Sequence, residues 1–240
     1  MKRITIFVLS TFLFALSAVA EERKLDSDDS KTLYALGHSM ARGLAGFDLT
    51  EEEIGIIEAG LRDGVLKRPS EVPMETYTPK IQAFARKRVE AIAVKEKEAA
   101  KGFLEKQENE KGAEKTTSGM IYRELKAGKG KAPEATSQVK VHYHGTLRDG
   151  TVFDSSVERK QPATFALNQV IPCWTEGVQK MKVGGKSRLV CPADLAYKDR
   201  GAPPHIRPGA PLVFEVELLE IVEKKAAAPK AEPKGESKAK

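Results

Sequence analysis

Apolar residues change their spacing along this chain, and each change marks a boundary. Ile4 to Ala18 is apolar but for Thr5, Ser10, Thr11 and Ser17, with Lys2 and Arg3 before it and Ala18-Val19-Ala20 closing it. That is the pattern of a secretory signal peptide over residues 1–20, too short and too cleanly terminated for a spanning helix. Residues 21–29 read as a polar leader, so the mature chain is expected to begin near Glu21. From Ser30 the period is helical. Leu33, Leu36, Met40 and Leu44 recur every three or four residues, the mark of one buried helix face, with Gly37, Gly43 and Gly46 weakening it or admitting a close neighbour. Thr50-Glu51-Glu52-Glu53 predicts a capping box. Its helix is expected to carry Ile54, Ile57, Leu61 and Val65 inward and to stop near Lys67, ahead of Pro69. Thr78 as N-cap and Pro79 at the first position predict a third helix, which would span about 50 Å if unbroken to Lys111. Its stripe of Ile81, Phe84, Ala85, Ile92, Ala99 and Phe103 is sparse. The first half is expected to pair with another chain and the second half to be a solvated spacer.

From Gly119 the period falls to two. Val139, Val141 and Tyr143 share one strand face, and His142 and His144 the other. Leu212 to Ile221 alternates likewise and predicts a long last strand. Between Gln169 and Lys180 one short helix is expected, with Pro172 near its start and Trp174, Val178 and Met181 as its apolar positions. The fold class is therefore α+β: an all-α N-terminal region with a long connecting helix, then an antiparallel half-barrel sheet around one short helix. The expected organisation is a helical domain over 30–117, a sheet domain over 118–222, and a disordered Lys/Ala/Pro tail over 223–240.

Charge changes the picture little. The formal net charge is +6, of which Lys2 and Arg3 supply two and the tail, with six Lys and three Glu, supplies three. The body is close to neutral, and no basic patch with interleaved aromatics or reading motif points to nucleic acid. No segment beyond the leader is apolar enough to span a membrane, and no cysteine lies near the cleavage point to take a lipid. There is no phosphate-binding loop, dinucleotide glycine fingerprint or nucleophile elbow. The two cysteines lack zinc spacing, and the His142/His144 pair is a weak metal signal against the commoner structural role. No metal and no cofactor is expected.

What remains is the inventory of a greasy pocket with one charged rim group. Val141-His142-Tyr143-His144-Gly145-Thr146-Leu147, then Asp149-Gly150-Thr151-Val152-Phe153-Asp154-Ser155-Ser156, Val170-Ile171-Pro172-Cys173-Trp174 and Ala196-Tyr197 closely resemble the signature of FKBP-type peptidyl-prolyl cis-trans isomerases across residues 119–222. Tyr34-Ala35-Leu36-Gly37, Gly60-Leu61-Arg62-Asp63-Gly64 and Ala100-Lys101-Gly102-Phe103-Leu104 resemble the N-terminal domain of the exported Mip/FkpA-like subgroup, and Thr117-Ser118-Gly119-Met120-Ile121-Tyr122 its entry into the isomerase domain. The resemblance implies a helical homodimerisation module and a C-terminal enzyme. By it, Trp174 floors the cavity, while Tyr143, Phe153, Phe165, Val170, Ile171, Tyr197 and Phe214 wall it. Asp154 is the rim carboxylate, polarising or accepting a bond near the substrate carbonyl, and Arg159 is its basic partner. Tyr197 donates its hydroxyl to the substrate backbone, and Ile206 lies in a Pro/Gly-rich flap over 196–211. The catalytic set is Asp154, Tyr197, Tyr143, Phe153 and Trp174.

Three departures bear on preference rather than on activity class. Ala163 stands where eukaryotic relatives usually carry Phe, which would thin the wall and lower the affinity of rapamycin-type macrolide inhibitors. Lys198-Asp199-Arg200 replaces the usual Gly after the Tyr, and Pro203-Pro204-His205 stiffens the flap tip. Cys173 and Cys191 either form the disulfide that export favours or stay buried thiols. The expected function is rotation of X-Pro bonds in unfolded or proline-containing protein clients in the periplasm. A holdase chaperone with helical arms is the rival; a silent proline-binding adaptor is disfavoured because Asp154, Trp174 and Tyr197 are all present.

Overall fold

A computed structural model describes residues 24–222; the expected signal peptide and the Lys/Ala/Pro tail lie outside them. The described residues fall into two units, divided between Ala41 and Arg42. The first holds helix α1 (Asp28–Ala41), on which Leu33, Leu36 and Met40 are 68, 57 and 50 % exposed. Leu44 is not part of that helix. The chain tightens into a 3-10 turn over Arg42–Phe47, where two glycines make a longer α-helix costly.

In the second unit, α2 (Glu51–Val65) opens on both halves of its capping box. The Thr50 hydroxyl accepts from the Glu53 N–H at 3.3 Å, and the Glu53 carboxylate from the Thr50 N–H at 3.0 Å. Ile54 and Ile57 are half-buried, but Leu61 and Val65 are exposed, so the expected inward face is only half covered within one chain. A single turn, α3 (Met74–Tyr77), precedes α4 (Lys80–Glu108). Thr78 does not cap α4: it is itself helical, and its N–H is bound to the Met74 carbonyl at 2.9 Å. At 29 residues α4 is about 44 Å long.

The second half of α4 corrects the expectation of a solvated spacer. Ile92, Ala93, Ala100 and Gln107 are buried, and Ala99, expected in the stripe, faces out instead. Phe103 and Leu104 pack against Ile121, Val190 and Val213 on one face of the sheet. These positions recur at the helical period, but Ala and Gln carry too weak an apolar signal to stand out. The first half, with Ile81 and Phe84 about half exposed, is tied to its neighbours by Phe84 stacked on Phe47 at 6.0 Å and by an Arg88–Glu53 ion pair.

The sheet has seven antiparallel strands: β1 (Ala113–Lys115), β2 (Ile121–Lys126), β3 (Gln138–Thr146), β4 (Val152–Ser155), β5 (Ala163–Ala166), β6 (Lys186–Cys191) and β7 (Leu212–Val222). Their order is β1-β2-β6-β7-β3, with β4 and β5 sharing the far side of β3. Strand β1 starts ahead of the expected boundary at 118 because it pairs with β2. The sheet stays open and wraps α5 (Pro172–Gln179), which has Pro172 in its first turn. Val139, Val141 and Tyr143 of β3 are buried on the α5 side while Lys140, His142 and His144 are half-exposed. A Cys173–Cys191 disulfide, with Cα atoms 5.7 Å apart, joins α5 to the end of β6. Among the described residues no helix is long and apolar enough to cross a membrane.

Candidate active site: an aromatic cavity beside the short helix

A cavity of about 450 Å³ lies between α5, β3, β7 and the segment after β6. Trp174, delivered by the first turn of α5, is 4 % exposed. Three rings meet it edge-on: Tyr143 at 5.4 Å, Phe165 at 5.5 Å and Phe214 at 5.3 Å between centroids, all within 10° of perpendicular. Phe153 meets Phe214 at 5.5 Å in the same manner. Such pairs contribute about 0.5–1.5 kcal/mol each beyond area burial, so the wall is rigid before anything binds. Gly145 makes the last pair possible. A Cβ there would stand 2.7 Å from the Phe153 ring and 3.1 Å from Phe214.

Asp154 follows Phe153 on β4 and turns the rim polar. Its carboxylate accepts from the Tyr143 hydroxyl on one oxygen and from the Arg159 guanidinium on the other. Arg159 also donates to the Tyr143 oxygen at 2.9 Å, closing a three-membered circuit. Val170 and Ile171 enter from the turn ahead of α5, and Tyr197, 40 % exposed, stands at the mouth.

Most of the expected site residues therefore share one cavity, and two do not touch it. Ile206 is buried in the core and lines a separate cavity behind the flap. Arg159 acts on the rim from a neighbouring shallow depression. Ala163 itself does not line the cavity, while Phe165, two residues on along β5, does and puts its ring 5.8 Å from Tyr143. Gln169 lines the cavity unannounced. Its one sequence signal is adjacency to Val170, too little to single out an amide.

A model for the FKBP-type peptidyl-prolyl cis-trans isomerase matches residues 129–219, and one for the domain amino terminal to it matches residues 29–123. The FKBP-type peptidyl-prolyl cis-trans isomerase FkpA of Aeromonas hydrophila is 41 % identical over 222 residues, covering 88 % of this chain and 82 % of its own. The FkpA of Escherichia coli K12 is 39 % identical over 237 residues, covering 93 and 86 %. This chain belongs to the FKBP-type peptidyl-prolyl cis-trans isomerase family. The crystal structure of FkpA from Escherichia coli superposes with a TM-score of 0.60 at 35 % identity, covering 82 % of this chain and 98 % of that one. An FKBP-type isomerase works without covalent chemistry, and this cavity contains the parts for that. Twisting an X-Pro amide costs roughly 18–20 kcal/mol because it breaks C–N resonance, and the twisted form is less polar than the planar one. An apolar, water-poor cavity favours the twisted form selectively.

Protonation in the isomerase's rim is fixed. Burial pushes Asp154 up, but the hydrogen bonds from Tyr143 and Arg159 and the guanidinium charge outweigh it and hold the carboxyl below its ordinary value. Burial, reinforced by the bond to Asp154, pushes the Tyr143 phenol up. Asp154 is thus an anion and Tyr143 a neutral donor. Among the described residues no group of three or more His, Cys, Asp or Glu side chains is gathered as a metal site would need.

Proposed function

We propose that this isomerase rotates X-Pro bonds of folding, exported proteins in the Trp174 cavity, with the proline ring seated on the indole. The observation that carries the reading is the closed set of perpendicular rings around an apolar volume with an internally bonded carboxylate at its edge. Tyr143, Phe153, Phe165, Val170, Ile171 and Phe214 exclude water from the twisting amide. Tyr197 donates from the mouth to the substrate backbone. Asp154 spends two of about four acceptor sites on Tyr143 and Arg159, which leaves capacity for a polar group of the bent substrate. Ile206 turns from the flap into the core rather than meeting the proline. The same cavity would take a rapamycin-type macrolide, with a lower affinity expected because Ala163 supplies no ring.

The apolar leader over residues 1–20 and the FkpA relatives support a periplasmic location. The bare Leu33, Leu36, Met40, Leu61 and Val65 side chains support a homodimer through the helical region. They equally suit a holdase role, in which paired arms grip an unfolded client and add avidity. Asp154→Ala separates the two functions. By cis/trans exchange NMR on a short X-Pro peptide, kcat/KM is expected to fall about 10- to 100-fold, the worth of one or two charge-assisted hydrogen bonds. Suppression of client aggregation should be unchanged. An Asp154→Ala protein with full exchange activity would remove Asp154 from the site; joint loss of both activities would end the division of roles.

A further inference from the structure

Helix α4 reaches the flap that bears Tyr197, and at the Tyr197 end it does so through the Lys97 ammonium. Lys97 Nζ lies 3.0 Å from Asp194 Oδ1 and 2.6 Å from Asp199 Oδ1. Those two carboxylates stand three residues before and two residues after Tyr197, so one side chain of the long helix holds both flanks of the residue at the cavity mouth. Asp199 sits in the 3-10 turn Lys198–Arg200, directly behind Tyr197.

The far end of the flap returns to the same turn of α4. Gly209 has φ +77, and a Cβ on it would come within 2.8 Å of the Ala93 Cα. Only glycine allows that backbone approach. The Gly209 N–H donates to the Lys198 carbonyl at 3.0 Å, which closes a circuit from Ala93 through Gly209 and Lys198 to Asp199 and back to Lys97. One residue earlier, Glu96, 14 % exposed in its side chain, pairs with Arg148 of the β3–β4 turn at 2.8 Å. Ala93 and Glu96 anchor the helix just ahead of Lys97, and Phe103 and Leu104 pack on the sheet beyond it, so the ammonium is not on a free arm. The carboxylates of Asp199 and Asp194 hold the Lys97 ammonium above its ordinary pKa, so it stays charged throughout the working range.

We infer that Lys97 is a positioning residue for the isomerase: it sets Tyr197 at the cavity mouth and makes substrate binding depend on the seating of α4. The inference rests on Tyr197 meeting the substrate backbone, as proposed above. Both pairs are solvent-accessible, with side chains 38, 78 and 60 % exposed for Lys97, Asp194 and Asp199. Exposed pairs of this kind contribute little to stability, so the effect belongs in binding rather than in folding.

The test uses the full chain and cis/trans exchange NMR with an X-Pro peptide, comparing wild type with Lys97→Met, Lys97→Arg and Tyr197→Phe. Lys97→Met is expected to raise KM about 3- to 10-fold, the range two exposed ion pairs can supply, with kcat within about two-fold and an unchanged melting temperature. Lys97→Arg should restore KM, because its fork spans the same two carboxylates. In 1 M salt the wild-type KM should climb towards that of Lys97→Met, whose own KM should stay flat. If Tyr197→Phe raises KM and Lys97→Met does not, the brace is overturned and the Tyr197 reading stands. If Tyr197→Phe changes nothing, both fall. A Lys97→Met protein that loses kcat and melting temperature together would make Lys97 a structural residue only, which also overturns the inference.

Discussion

The isomerase sheet and the helices before it treat their apolar side chains in opposite ways. Around Trp174 the rings of Tyr143, Phe153, Phe165 and Phe214 each find another ring of the same chain, and the core residues Val139, Val141, Leu167, Val178 and Leu189 have no exposed surface. On α1 and α2 no residue is buried at all, although both helices have a sound apolar period and α2 a complete cap. The contrast teaches that local signals suffice to make a helix but not to satisfy it. A capped amphipathic helix of 14 or 15 residues is marginal alone, so its bare face asks for a second copy or a client. Helix α4 belongs to both regimes, open along Ile81 and Phe84 and closed from Ile92 onwards.

Cutting α4 at that change of regime is the strongest way to test the contrast. A chain of residues 90–222 is expected to be monomeric and active, because it keeps the closed half of α4, strand β1 and the brace on the flap. A chain of residues 118–222 loses all three and uncovers Ile121, Val190 and Val213, each at most 3 % exposed. Uncovering those side chains is expected to cost about 2–4 kcal/mol, read by urea denaturation of the two fragments. Equal stability would mean that α4 merely rests on the sheet, and a dimeric 90–222 fragment would move the self-association out of α1, α2 and the open half of α4.

The sequence showed the sheet domain far better than the course of α4, for a physical reason. In β3 the alternation of Val139, Val141 and Tyr143 against Lys140, His142 and His144 is strong, and a slip of one residue would reverse every side chain. The cavity residues are large aromatics at fixed separations, which is the loudest signal a sequence has. The buried side of α4 is made of Ala93, Ala100 and Gln107, whose role emerges only when Val190 and Val213 lie opposite. Thr78 misled because it ends the preceding helical turn in αR backbone, whereas an N-cap needs a non-helical conformation. Gln169, Lys97 and the Asp194/Asp199 pair were illegible for a related reason. Their significance lies in partners far away in the chain, and nothing local to an exposed lysine names them.

An effect of similar size on stability, without any change in self-association, is expected from the disulfide, which ties the floor of the cavity to β6. Cys173 precedes Trp174, and its bridge to Cys191 closes a loop of 18 residues. Opening such a loop costs about 3 kcal/mol in the chain-entropy model. The double variant Cys173→Ala/Cys191→Ala should show that loss in urea, while the 90–222 fragment with its bridge intact should not. If the bridge also holds the indole, kcat/KM will fall with it at temperatures well below the transition. Full activity at those temperatures would show that the perpendicular rings hold Trp174 unaided, and would make the closed region more self-sufficient still.

The gentlest probe of the closed region is pH, where the expected result is a plateau. Asp154 has its folded pKa lowered by Tyr143 and Arg159 against the opposing effect of burial. Between that value and the unfolded pKa of about 3.9, the unfolded chain binds the extra proton. The stabilisation from Asp154 is therefore complete above the unfolded pKa and is lost only as pH falls through the folded value. Tyr143 is raised, chiefly by burial, so its contribution holds below the unfolded pKa of about 10 and is lost as pH climbs through the folded one. Neither proton moves in between. With a peptide lacking titratable groups, kcat/KM should be level from about pH 5 to 9, and Asp154→Asn should lower the plateau without bending it. A midpoint inside that window that survives Asp154→Asn and Tyr143→Phe would place control of the reaction outside the rim circuit, in the half-exposed polar face of the sheet or in the flap.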